Sequence, residues 1–127
     1  MKFITTDTTA KAIGPYSQGV LTGGVLYTSG QVGLTVDGEL VGEDIKSQTR
    51  QVLTNLSEVV KAAGGTLDDV IKMTVYLTDM DDFLAMNTIY AEFFGSHKPA
   101  RSTVAVVGLP KGVMVEMDCI AQPKNYV

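Results

Sequence analysis

The sequence predicts a small α+β domain: a mixed β-sheet with two helices packed on one of its faces. Apolar residues alternate along several short stretches, then switch to a spacing of three and four residues in two longer ones. The resulting order is hairpins, helix, strand, helix, strand, strand, with two strand–helix–strand crossovers expected to be right-handed. At 127 residues the chain reads as one domain over positions 1–127, long enough for a sizeable core.

Tyr16-Ser17-Gln18-Gly19-Val20-Leu21 and Val25-Leu26-Tyr27-Thr28-Ser29 flank Gly23-Gly24, a β-hairpin signal. A turn at Asp37-Gly38 separates two further short stretches, Val32 to Val36 and Glu39 to Val41. From Ile45 the period changes. Ile45, Thr49, Val52, Leu53, Leu56, Val59, Val60 and Ala63 form one helical face, closed by Gly64. Lys46, Arg50, Asn55 and Glu58 are expected on the solvated side.

Val70 to Thr78 alternates, with Ile71, Met73, Val75 and Leu77 on one face. Asp79 is a natural N-cap for the next helix, and Asp81 and Asp82 suit its positive end. Met80, Phe83, Asn87, Tyr90 and Phe94 mark its buried stripe, and Gly95 ends it. Asn87 interrupts that stripe and should hydrogen-bond inward. His97 falls at a helix end or in a loop. The last two strands are Pro99 to Val107 and Val113 to Ala121, joined by Gly108-Leu109-Pro110-Lys111-Gly112.

Those last strands are apolar on both faces, a pattern of strands buried on both sides. With both helices on one face, the other needs a second cover, and another copy of the chain is the simplest. A ring-like homo-oligomer with clefts between subunits is therefore expected. Composition agrees: 19% charged residues fall below the roughly 25% of an average domain. A net charge of -4 and scattered basic residues argue against nucleic acid as the main partner. One cysteine rules out an internal disulfide, and one histidine leaves no zinc cluster. Cys119 should pack as a small hydrophobe. No apolar leader or membrane span is seen, which fits a cytoplasmic enzyme or binder.

Pro99 favours extended backbone, so Arg101 stands at a strand start, where its fork can grip a carboxylate bidentately. Glu116, beyond the turn, would set a carboxylate beside that cation at the mouth of an apolar hairpin. Strand parity opposes this. In a simple hairpin Glu116 pairs near Val104, whose side chain opposes that of Arg101. A bulge, another register or contact across subunits is needed to bring the two together. Asp118 shares the face of Glu116 and is the rival acid.

Gly14-Pro15-Tyr16-Ser17-Gln18, Thr28-Ser29-Gly30-Gln31, Gln48 to Leu56, Pro99-Ala100-Arg101-Ser102 and Val115 to Ala121 together closely resemble the Rid (YjgF) family of enamine/imine deaminases. The resemblance runs the whole length. It implies a chorismate-mutase-like fold, a homotrimer with active sites at subunit interfaces, and no metal or organic cofactor. It also implies hydrolysis of 2-aminoacrylate, through 2-iminopropionate, to pyruvate and ammonia. In the family, positions equivalent to Tyr16, Ser29, Gly30, Asn87, Arg101, Thr103 and Glu116 line or support the pocket.

That chemistry suits the residues. Arg101 can fix the carboxylate of a 2-imino acid, and Glu116 can activate water against the adjoining carbon. Tyr16 can add a hydroxyl and an aromatic wall, and Gly30 lets backbone approach a ligand closely. Many relatives have cysteine where this chain has Thr103; imine hydrolysis needs no covalent nucleophile, so Thr103 should be tolerated. Two other functions compete: a regulatory trimer that binds small 2-oxo or amino acids without turnover, and a ribonuclease or chaperone-like activity, which the acidic balance disfavours. Taken alone, Arg101 could be an ion pair and Glu116 a solvated strand residue.

Overall fold

A computed structural model describes residues 1–127. Its strands are β1 (Lys2–Ile4), β2 (Gly19–Thr22), β3 (Val25–Thr28), β4 (Val70–Leu77), β5 (Ala100–Ala105) and β6 (Val115–Ala121). The helices are α1 (Ile45–Ala62) and α2 (Phe83–Phe94). One six-stranded sheet runs β1-β2-β3-β6-β4-β5, antiparallel throughout except for the parallel pair β4 and β5. The expected mixed sheet with two helices is therefore present. Both helices contribute to a single core of 21 buried residues, which fixes them on the same side of the sheet. No helix is long and apolar enough to cross a membrane.

Local chemistry explains the best-defined elements. Gly23 and Gly24 have φ of 58° and 78°, the left-handed pair that a tight hairpin turn between β2 and β3 needs. Asp44 caps α1 by accepting from the Ser47 N–H at 2.9 Å, and Gly64 leaves the helix at φ 99°. Val52, Leu53, Leu56, Val59 and Val60 are completely buried beneath it. Asp79 caps the short 3₁₀ turn Met80–Asp82, accepting from the Asp81 N–H, and that turn leads into α2.

Several details depart from the sequence pattern. The stretches Val32 to Val36 and Glu39 to Val41 form no strands, only an isolated bridge between Leu34 and Leu40. Their backbone is held by α1 instead: Asn55 Nδ2 donates to the carbonyls of Val32 and Leu34 at 3.2 and 3.0 Å. Gln48 similarly donates to Gly42 O and accepts from the Met114 N–H. Asn55 is thus buried, not solvated, because a segment without its own ladder needs side-chain partners. Ile71 is 50% exposed, since a register shift between Val70 and Lys72 turns it out of the core and gives Val70 the inner place. β1, which carried no readable pattern, pairs with β2 at the sheet edge.

The largest departure concerns the last two strands, which do not form a hairpin. β4 lies between β5 and β6, and both crossovers join parallel strands. β5 is a sheet edge, shorter than expected, with Val104 partly exposed and Val107 fully so.

Candidate active site

Register assigns Arg101 and Glu116 to opposite faces of the sheet. Arg101 stands beside Met73, a fully buried residue on the helix side. Glu116, Tyr76 and Val104 stand abreast on the other side, flanked along β6 by the buried Val115 and Met117, which point to the helices. Glu116 is thus level with Val104 as strand parity implies, but across β4. Within one chain the predicted cation and carboxylate are not brought together.

The Arg101 side is built by α2. Arg101 Nη1 donates to Asn87 Oδ1 at 2.8 Å, so the asparagine in the apolar stripe serves the arginine. The guanidinium carbon lies 4.6 Å from the centre of the Tyr90 ring and 5.6 Å from that of Phe83. No carboxylate of the chain pairs with it; the ion pair present is Arg50 with Glu92, between exposed side chains. Arg101 therefore keeps most of its five donors free. Thr103 follows on the same face, its hydroxyl buried without a hydrogen-bond partner. A cavity of about 170 Å³ adjoins Arg101, lined also by Tyr90, Phe94, His97 and Lys98. His97 lies in the loop after α2, its Nε2 2.7 Å from Val70 O.

The Glu116 side is built by loops. A cavity of about 360 Å³ is lined by Glu116, Tyr16, Ser29, Gly30, Lys11 and Lys111, among others. Gln18 pins one wall: its Oε1 accepts from the Thr6 N–H at 2.7 Å, and its Nε2 donates to the carbonyls of Thr6 and Ala10. Ser29 Oγ donates to Ser17 O at 2.5 Å, tying the two walls together, and Tyr16 OH accepts from the Ile13 N–H. The Glu116 carboxylate rests against Gly30, where any Cβ would collide with Oε2 and lie 2.7 Å from its carboxyl carbon. A side chain at position 30 would therefore displace the Glu116 carboxylate from its place.

Burial pushes the Glu116 carboxyl above its ordinary range, and the charge of Asp118 two residues on adds to the rise. Asp118 is raised by burial too, but a hydrogen bond from Tyr76 OH at 3.1 Å and the charge of Lys72 pull it back. Glu116 has no such partner, which separates it from its rival. Cys119 is buried, its thiol pushed up to about 12 by desolvation, so it behaves as the expected small hydrophobe. No group of three or more His, Cys, Asp or Glu side chains is placed to hold a metal ion.

The structure thus brings Tyr16, Ser29, Gly30 and Glu116 together at one cavity, and Asn87, Arg101 and Thr103 together on the opposite face. Sequence reading missed Lys111, whose φ of 58° at the cavity wall is the one positive value outside glycine. It also missed Tyr90 as the platform beneath Arg101. Its signal was present, three residues after Asn87 on the same helical face.

A six-stranded mixed sheet with two helices on one face is the architecture of YjgF/L-PSP structures. The chain superposes on one from Thermotoga maritima with a TM-score of 0.94 at 44% identity, covering 98% of this chain and 99% of that one. Residues 6–123 match the family model described as endoribonuclease L-PSP, and the chain belongs to that family, also called YjgF/Rid. It is 52% identical to a RutC family protein of Pyrococcus horikoshii, over 93% of this chain and 94% of that one. It is 44% identical to the 2-iminobutanoate/2-iminopropanoate deaminase of Capra hircus, covering 94% and 88% of the two chains. The crystal structure of Escherichia coli TdcF with bound serine superposes with a TM-score of 0.93 at 42% identity, covering 98% of this chain and 100% of that one.

Proposed function

We propose that this chain is a homotrimeric hydrolase that deaminates small 2-imino acids, the tautomers of 2-enamino acids, to 2-oxo acids and ammonia. One observation carries the proposal: Arg101 is held ready with no carboxylate in its own chain, while Glu116 waits at a cavity on the other face of the sheet. A complete site then forms where the Arg101 cluster of one copy meets the Glu116 cavity of a neighbour. The same packing covers Tyr27 and Val104, half-exposed on the face that no helix shields.

The chemistry follows from the two clusters. Arg101 takes the substrate carboxylate and so fixes the adjoining C=N carbon. Glu116 accepts a proton from water as the water oxygen bonds to that carbon, and the imine nitrogen is protonated to an amine. The carbinolamine then collapses: Glu116 takes its hydroxyl proton and delivers a proton to the amine nitrogen, C=O forms, and the C–N bond breaks to release ammonia. A carboxyl with a raised pKa suits both directions of proton transfer. Tyr16 and the Gly30 backbone line the route of the water and the imine nitrogen.

Mixed oligomers test this directly. An amino-acid dehydratase supplies 2-aminoacrylate, and pyruvate release is followed for Arg101→Ala, for Glu116→Gln, and for the two co-assembled. Each variant alone should be inactive. Random one-to-one mixing should restore about a quarter of the sites, those pairing an intact Arg101 with an intact Glu116 from another chain. Mixed oligomers that stay inactive beside an active wild type would refute the shared site. A wild type that binds 2-oxobutanoate without hastening pyruvate release would instead favour a regulatory binder.

A further inference from the structure

We infer that Tyr90 is the residue that positions the Arg101 guanidinium for carboxylate capture. The inference rests on the functional reading above and names a residue outside the set that reading uses. An arginine at a sheet edge carries several rotatable bonds, and leaving them free would cost much of the affinity a carboxylate contact supplies. Asn87 Oδ1 fixes one point, by a single hydrogen bond at 2.8 Å. One bond leaves the planar group free to pivot about it. The Tyr90 ring, its centre 4.6 Å from the guanidinium carbon, restricts that pivot, with the Phe83 ring farther off at 5.6 Å.

The ring is itself held firmly. Tyr90 stacks on Phe94 with centroids 4.6 Å apart and packs against the buried core. Its hydroxyl is buried without a hydrogen-bond partner. An apolar side chain would avoid that loss, so packing alone does not account for tyrosine here. An aromatic face beneath a cation does account for the ring. Because the contact is made by an aromatic ring rather than by a carboxylate, it leaves the Arg101 charge unpaired for a substrate acid group.

Three variants separate positioning from packing: Tyr90→Phe keeps the ring, whereas Tyr90→Leu and Tyr90→Met keep apolar bulk without it. Tyr90→Phe should retain KM for the imine, and Kd for the product 2-oxobutanoate, within about twofold of wild type. Tyr90→Met and Tyr90→Leu should raise both by about tenfold while kcat changes by less than about threefold. A merely structural role would lower thermal stability in all the ringless variants and leave KM unchanged. One further readout needs no reaction: ring-current shifts of the Arg101 side-chain protons should persist in Tyr90→Phe and vanish in Tyr90→Met. Folded Tyr90→Met with those shifts intact, or with wild-type Kd, overturns the inference. Lost shifts in a protein whose wild type hydrolyses no imine would sink the assigned reaction and leave the positioning of Arg101 standing.

Discussion

Arg101 and Glu116 sit in surroundings of opposite construction. Around Arg101 the chain supplies an amide and two aromatic rings from one helix, so the cation is fixed by side chains that touch it. Around Glu116 it supplies loops, a glycine and an open cavity, and nothing donates to the carboxylate. One group is held by contacts and the other by the absence of them. The difference suits their chemistry. A group that grips a substrate gains from a fixed orientation, whereas a group that passes protons gains from a desolvated, unpartnered carboxyl.

The sharpest way to break this contrast is to remove the gripping half. Arg101→Ala should lower kcat/KM by about 10³-fold, and Arg101→Lys should recover little of it, because an ammonium cannot reproduce the planar fork. Kinetics with 2-iminopropionate generated in place would check both. Full activity in Arg101→Ala would end the assignment. Glu116→Gln should cost about 10²-fold in kcat yet keep Kd for 2-oxobutanoate within a few-fold, since the amide retains the shape and loses the base. Parallel loss of binding and turnover would make Glu116 a structural residue instead.

Gly30→Ala sharpens the other half of the comparison. Its new Cβ would meet Glu116 Oε2, so the carboxylate must move while Arg101, on the far face, stays where it is. A drop in kcat of about tenfold with an unchanged Kd for the oxo acid is expected, as for a displaced catalytic group. Equal activity in Gly30→Ala would mean that the position of the carboxylate is not critical.

Much of this was legible in the chain itself, and the exceptions share a cause. α1 and β4 could be read because their periodicity is local. Arg101 and Glu116 could be named as candidates through the resemblance of Pro99 to Ser102 and Val115 to Ala121 to the Rid family. Taken alone, one reads as an ion pair and the other as a solvated strand residue. Strand parity already implied their placement on opposite faces, but not the strand order behind it, because β4 inserts between β5 and β6 by a non-local pairing. Asn55 was misplaced for a similar reason. Its helical position looks solvated until the irregular segment at Val32 and Leu34 folds across it. Ile71 fell on the wrong face because a bulge broke the alternation that assigned it. β1 is only three residues long, too short to show a pattern.

The smallest effect expected concerns pH, and it turns on the neighbour that Arg101 lacks. Burial, and then the charge of Asp118, raise the Glu116 carboxyl above its ordinary range. A raised carboxyl favours the neutral form in the folded state. Its contribution to stability is therefore full below the unfolded pKa and is lost as pH rises through the folded value. For activity the consequence is an acidic limb of kcat/KM above the usual carboxylate range, because Glu116 must be ionised to take a proton from water. Asp118→Asn removes the second cause and leaves the first. The limb should move to lower pH without returning fully to the unperturbed value, while the plateau rate changes little. An unmoved limb would mean that Glu116 is not the group whose ionisation limits the reaction, and the proton would have to be taken elsewhere along the cavity wall.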